Sequence, residues 1–240
     1  MRFFIIFFLL FSNIVLAEPI YHEKKYPEGK GPFPAIILLH TSGGFKSNEI
    51  MNKLGNDYLI QGFAIYGPDF FKRHGITGRT RKDTWTTYRK PIEKELTEIV
   101  QLVKKDPKIN SKNIFAIGYS NGGYWATYLA GTKQVSAASS HYGVWGFKGG
   151  LGGYPAKYIK NDCSPLLVLH PKKDKVQKLE NIKKYINKAS KSCKAVKVHF
   201  YDKGGHKWES ETYKGGVGYS KEAWKDSVER TTDFFKSNMK

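Results

Sequence analysis

Residues 113–131 constrain this chain most, because they read as a strand, a sharp turn and a helix with a serine at the turn. Asn113-Ile114-Phe115-Ala116-Ile117 is a short apolar run of strand character, and Tyr124-Trp125-Ala126-Thr127-Tyr128-Leu129-Ala130 is helix-like. Between them stands Gly118-Tyr119-Ser120-Asn121-Gly122-Gly123, a G-x-S-x-G turn. Glycines are needed where strand and helix cross closely, since a β-carbon at either flanking position would collide. Ser120 Oγ would then stand exposed above the sheet, with the Asn121 N–H facing the same space at the helix N-terminus. The competing reading is a Gly-rich turn with an inert serine, in a chain that has 24 glycines. The flanking strand and helix favour a nucleophile.

Residues 1–17 read as a secretory signal rather than as part of the fold. Arg2 precedes the apolar run 3–11, and Val15-Leu16-Ala17 offers a cleavage site before Glu18. Ser12 and Asn13 interrupt a run already shorter than the roughly 20 residues a membrane span requires. The expected mature protein is exported, periplasmic or secreted, with no membrane anchor after cleavage. Residues 18–240 suit one α/β domain.

Apolar content of 40% with 15% aromatics supports a packed globule, whereas charge is the outlier: 40 Lys and Arg against 21 Asp and Glu, a net +19. That excess favours anionic partners. No nucleic-acid motif accompanies it, and the lysines are scattered over predicted helix surfaces, so most read as a solvated shell.

The strands recur in α/β order. Pro34-Ala35-Ile36-Ile37-Leu38-Leu39 ends in His40-Thr41-Ser42-Gly43-Gly44, where a Gly-rich loop lets a backbone N–H approach the site as a second oxyanion donor. A helix is predicted over residues 47–61. Phe63-Ala64-Ile65-Tyr66 is the next strand, and Asp69 beyond it suits a turn. Residues 72–90 form a long basic connection, and Pro91 opens a helix with Ile92, Leu96, Ile99, Val100 and Val103 at helical spacing. Within the connection, Arg79 and Arg81 either make a positive rim that draws in anionic esters or point into solvent. Residues 134–141 read as a strand of small residues ending in His141, which lines the pocket or makes a structural hydrogen bond. Residues 143–153 hold six glycines and read as a mobile loop beside the site.

Pro165-Leu166-Leu167-Val168-Leu169-His170 is followed by Asp174, and an acid a few residues past a strand, after the nucleophile in sequence, is where a triad carboxylate belongs. Asp174 could instead cap the helix that follows, and Asp202 is the alternative acid. The last strand, 195–201, leads into Gly204-Gly205-His206, and His206 is the candidate general base. A final helix starts at Ser220, with Trp224, Val228 and Phe235 inward. Thr41, Ser42, Ser120, Asp174 and His206 all follow strand C-terminal ends, the edge where open α/β sheets bind ligands. Cys163 and Cys193 each lie three residues ahead of a strand, so neighbouring strands would bring them within disulfide reach at the opposite edge. No metal-ligand spacing is present, and no cofactor is expected.

From about residue 27 onward the chain resembles the dienelactone hydrolase family of α/β-hydrolases. The resemblance rests on the His40 to Gly44 loop, Tyr66-Gly67-Pro68-Asp69, the Ser120 turn, His141-Tyr142-Gly143, Leu169-His170 through Asp174, and Gly205-His206. It implies a mostly parallel sheet covered by helices on both faces, Ser120 as nucleophile, Asp174 orienting His206, and the Ser42 and Asn121 N–H groups as oxyanion donors. Thr41, Arg79, Arg81 and His141 are the candidate substrate contacts. The founding enzymes have cysteine as nucleophile and a glutamate after the first of these strands, where this chain has Ser120 and Thr41. The resemblance therefore implies a carboxylesterase acting on small esters, with anionic esters and lactones among the candidate substrates. A peptidase or polyester depolymerase on the same triad, and a basic envelope-binding protein without catalysis, are the alternatives.

Overall fold

The computed structural model describes residues 20–146 and 155–240. The signal reading for residues 1–17 and most of the glycine-rich 143–153 reading lie outside them. Seven strands form one sheet in the order β1-β3-β2-β4-β5-β6-β7. They are β1 (His22–Lys25), β2 (Phe33–Leu39), β3 (Ala64–Pro68), β4 (Ile109–Tyr119), β5 (Ala137–His141), β6 (Leu166–Pro171) and β7 (Val196–Tyr201). All neighbours run parallel except β1, which pairs antiparallel with β3. A β1 strand made of His22-Glu23-Lys24-Lys25 has no apolar alternation to announce it, as suits an edge that faces water.

The helices are α1 (Gly55–Leu59), α2 (Arg89–Lys105), α3 (Asn121–Gly131), α4 (Leu179–Ser192) and α5 (Lys221–Lys236). Alternate residues of β2 divide them between two layers. Ala35, Ile37 and Leu39 pack with α2, α3 and α4, through Leu96, Trp125 and Ile186 among others. Ile36 and Leu38 pack with α1 and α5, through Tyr58 and Phe235. The single helix expected over 47–61 is instead a π-helical turn, Asn48–Leu54, running into the short α1. The Gly55 N–H reaches back five residues to the Ile50 carbonyl, a spacing that a 3.6-residue pattern does not reveal. Ser220 caps α5 by accepting the Ala223 N–H.

At the N-terminal edge of β6 and β7, Cys163 and Cys193 are joined by a disulfide with Cα atoms 6.3 Å apart. Among the described residues, no helix is long and apolar enough to cross a membrane.

Candidate active site

The turn at Ser120 is forced by two close approaches. A β-carbon on Gly118 would stand 1.9 Å from the Gly122 carbonyl oxygen, and one on Gly122 would stand 2.2 Å from that of Leu39. Strand, turn and helix can therefore meet only through glycine. Ser120 itself takes φ +54° and ψ −107°, a region costly for a residue with a side chain, and it is held there by its neighbours. The Ser120 N–H donates to the His141 carbonyl, and the Gly122 N–H to that of His40.

Ser120, Asp174 and His206 meet above the C-terminal ends of β4, β6 and β7. His206 Nδ1 lies 2.8 Å from Asp174 Oδ2 and His206 Nε2 lies 2.9 Å from Ser120 Oγ. An ionised carboxylate only accepts, so Nδ1 carries the proton and Nε2 is free to accept from the serine hydroxyl. The other Asp174 oxygen accepts the Val176 and Gln177 N–H groups at 2.7 and 2.8 Å. The alternative posed in sequence, capping of the helix that follows, is not what this oxygen does: α4 starts only at Leu179 after Lys178, and Asp174 Oδ1 instead holds the turn between β6 and that helix. Burial pushes the Asp174 carboxyl up, but the His206 hydrogen bond and charge, with His170 and the Gln177 N–H, hold it below the usual range. Asp202 is exposed and pairs with Lys172 at 2.8 Å, whereas the His206 ring nitrogens are taken by Asp174 and Ser120.

Asn121 and Ser42 face each other across the site. The Asn121 side-chain amide donates to Ser42 Oγ at 3.4 Å and to Thr84 Oγ1 at 3.3 Å, tying the turn to the 41–44 loop and the basic connection. Thr41 is almost buried: its hydroxyl accepts the Gly43 N–H, and its carbonyl accepts from Gly44 N–H and His40 Nδ1. It shapes the turn that presents Ser42. Arg79 and Arg81 are exposed, and Arg81 donates to the Gly78 carbonyl. A β-carbon on Gly78 would stand 3.6 Å from the Ser42 carbonyl oxygen, so their loop borders the site.

His141 requires a correction. It is fully buried, its Nε2 lies 3.1 Å from Thr231 Oγ1 of α5, and burial pushes its pKa down to about 3. It is a neutral core side chain, fully covered rather than presented to a ligand. Asp69 serves its turn, accepting the Phe71 and Lys72 N–H groups. Sequence reasoning missed Thr84 and the pair behind His206, where Tyr142 lies 4.8 Å ring to ring from the imidazole and donates to the buried Glu209 carboxylate at 2.8 Å. Tyr142 stands in the His141-Tyr142-Gly143 stretch of the resemblance, which gives the tyrosine no role of its own. Among the described residues, no group of three or more His, Cys, Asp or Glu could hold a metal ion.

The fold, with its nearly all-parallel sheet and a serine at the β4–α3 turn, is that of an α/β-hydrolase. The chain belongs to the dienelactone hydrolase family, whose model matches residues 22–239. It is 29% identical to esterase EstD of Thermotoga maritima over 99 residues, 40% of this chain and 23% of that protein. It is 24% identical to dipeptidyl-peptidase 5 of Porphyromonas gingivalis over 201 residues, 67% of this chain and 27% of that protein. The match thus spans about a quarter of each of these curated relatives. The solved structure of a dienelactone hydrolase-like promiscuous phosphotriesterase from metagenomic libraries superposes with a TM-score of 0.74 at 18% identity, covering 92% of this chain and 93% of that one. At that identity the likeness is one of fold.

Proposed function

We propose that this protein is an exported serine hydrolase that cleaves carboxylic esters, lactones among them, through an acyl-enzyme. The observation that carries the reading is the unbroken hydrogen-bonded series from Asp174 through His206 to Ser120. His206 Nε2 takes the Ser120 proton as Oγ attacks the ester carbonyl carbon, and Asp174 stabilises the imidazolium and fixes its tautomer. The tetrahedral oxyanion is met by the backbone N–H groups of Asn121 and Ser42, each such donor worth about 3 kcal/mol. His206 then gives its proton to the departing alcohol, and water repeats the sequence on the acyl-serine. Membership in the family and the likeness to an esterase support the same chemistry. Export is supported by the apolar leader and by the disulfide, a bond that persists in oxidising compartments. The likeness to a dipeptidyl-peptidase keeps peptide cleavage as a second reading.

A fluorophosphonate probe followed by peptide mass spectrometry tests the nucleophile, and a panel of p-nitrophenyl esters, lactones and aminoacyl anilides tests the bond. Label on Ser120 with ester turnover is expected. No label and no turnover would leave the non-catalytic reading.

A further inference from the structure

Beside His206 the loop after β6 and the loop after β7 border an open cleft of about 530 Å³, within the range of small-ligand sites. Tyr213, Val217 and Tyr219 give it an apolar wall, and His206 is among the residues that line it. Four lysines line it, Lys173, Lys175, Lys203 and Lys214, against one acid, Asp202. The acid is taken by Lys172 at 2.8 Å, and Lys203 is taken by Glu222 at 2.6 Å. Among the described residues, no carboxylate lies within ion-pair distance of Lys173, Lys175 or Lys214. Lys173 acts on Asp202 only at longer range, and Lys214 lies over the Tyr213 ring at 5.3 Å. Outside the lining, Glu211 reaches the Tyr219 hydroxyl.

We infer that this cleft is a subsite for the leaving alcohol of the ester, and that the alcohol it takes bears a phosphate. The inference rests on the hydrolase reading above. The side follows from the proton: His206 Nε2 must hand it to the alkoxy oxygen, so that oxygen and its substituent lie on the histidine side of Ser120. The charge class follows from the lysines. No arginine lines the cleft, so nothing offers the planar fork that matches a carboxylate in two hydrogen bonds, whereas three ammonium point charges suit a multiply charged, tetrahedral group. The tyrosine rings and Val217 would cover the apolar body between the phosphate and the ester oxygen.

4-Acetoxyphenyl phosphate is the probe. Ser120 Oγ forms a bond to the acetyl carbon, the bond from that carbon to the aryl oxygen breaks, and His206 protonates the departing oxygen, leaving acetyl-serine and 4-hydroxyphenyl phosphate. At low salt its kcat/KM should exceed that of phenyl acetate by about ten-fold or more. Monophenyl succinate, with its charge on the acyl side, should show no such gain, and 4-acetoxybenzoate a smaller one. In the variant Lys173→Gln/Lys175→Gln/Lys214→Gln the ratio of phosphate ester to phenyl acetate should fall to about one. 4-Hydroxyphenyl phosphate should also inhibit the unaltered enzyme competitively and more strongly than phenol, a measurement that needs no variant. An equal gain for the succinate or the benzoate, an unchanged ratio in the variant, or inhibition no stronger than that by phenol overturns the subsite. Failure to cleave phenyl acetate at all overturns the hydrolase reading and the subsite with it.

Discussion

Asp174 gives each oxygen a separate task, and substitution can divide them. Asp174→Asn keeps Oδ1 for the Val176 and Gln177 N–H groups while placing an amide donor opposite His206 Nδ1. The imidazole would then adopt the wrong tautomer, and kcat on p-nitrophenyl acetate should fall about 10⁴-fold. Asp202→Asn, at an exposed ion pair, should change it less than about two-fold. A large loss in the second variant would move the acid role. Two other buried histidines set a pH dependence of stability. Burial pushes His141 down to about 3 and His170 down to about 4, from 6.5. Above pH 6.5 both are neutral, folded or unfolded, and their contribution is fully present. As pH falls toward the folded values, the unfolded chain binds protons that the folded one refuses, so stability is lost. By pH 5.5 the two should together cost roughly 3 kcal/mol. The urea midpoint at pH 7 and at pH 5.5 measures this, and His141→Asn/His170→Asn should flatten the difference.

The β4–turn–α3 unit is where sequence dictates structure most directly. Gly122→Ala would drive a methyl into the Leu39 carbonyl and should destabilise by about 3 kcal/mol or more, seen as a lowered urea midpoint or insoluble expression. Gly78→Ala, whose methyl would meet only ordinary contact distances, should cost less than about 1 kcal/mol. The same close packing explains what could be read beforehand. β2, β4 and β6 are buried on both faces and appear as apolar runs, and the residues just past their ends are where a serine and an acid stand out. β1 and the π-helical turn were illegible because the first is polar and the second breaks the helical period. Thr84 and the Tyr142–Glu209 pair were illegible for another reason. Their roles are contacts across 37 and 67 positions of chain, and no local pattern encodes such a partner. His141 misled because a strand-end histidine has the same local signature whether it faces the cleft or, as here, Thr231.

Across the whole molecule, the site and the disulfide occupy opposite edges of the sheet, so redox state and chemistry should be separable. The Cys163–Cys193 bond spans 30 positions, and by loop entropy its loss should cost roughly 3 to 4 kcal/mol. Cys163→Ser/Cys193→Ser should therefore melt earlier, while kcat at 25 °C stays within about two-fold where the fold persists. A collapse of kcat in folded variant would show that the two edges are coupled.

The distance along the chain between Ser120 and its proposed base His206, 86 positions, also bears on how the protein is made. At about 5–20 residues per second, synthesis delivers His206 roughly 4 to 17 s after Ser120. The ring of Phe235, which stacks on Phe115 of β4 at 4.6 Å, arrives later still. A ribosome-bound chain that already displays Ser120 has neither the histidine proposed to deprotonate it nor the helix that covers one face of its strand. On the proposed mechanism, each newly made molecule therefore stays inert toward esters until synthesis has passed His206 and Phe235.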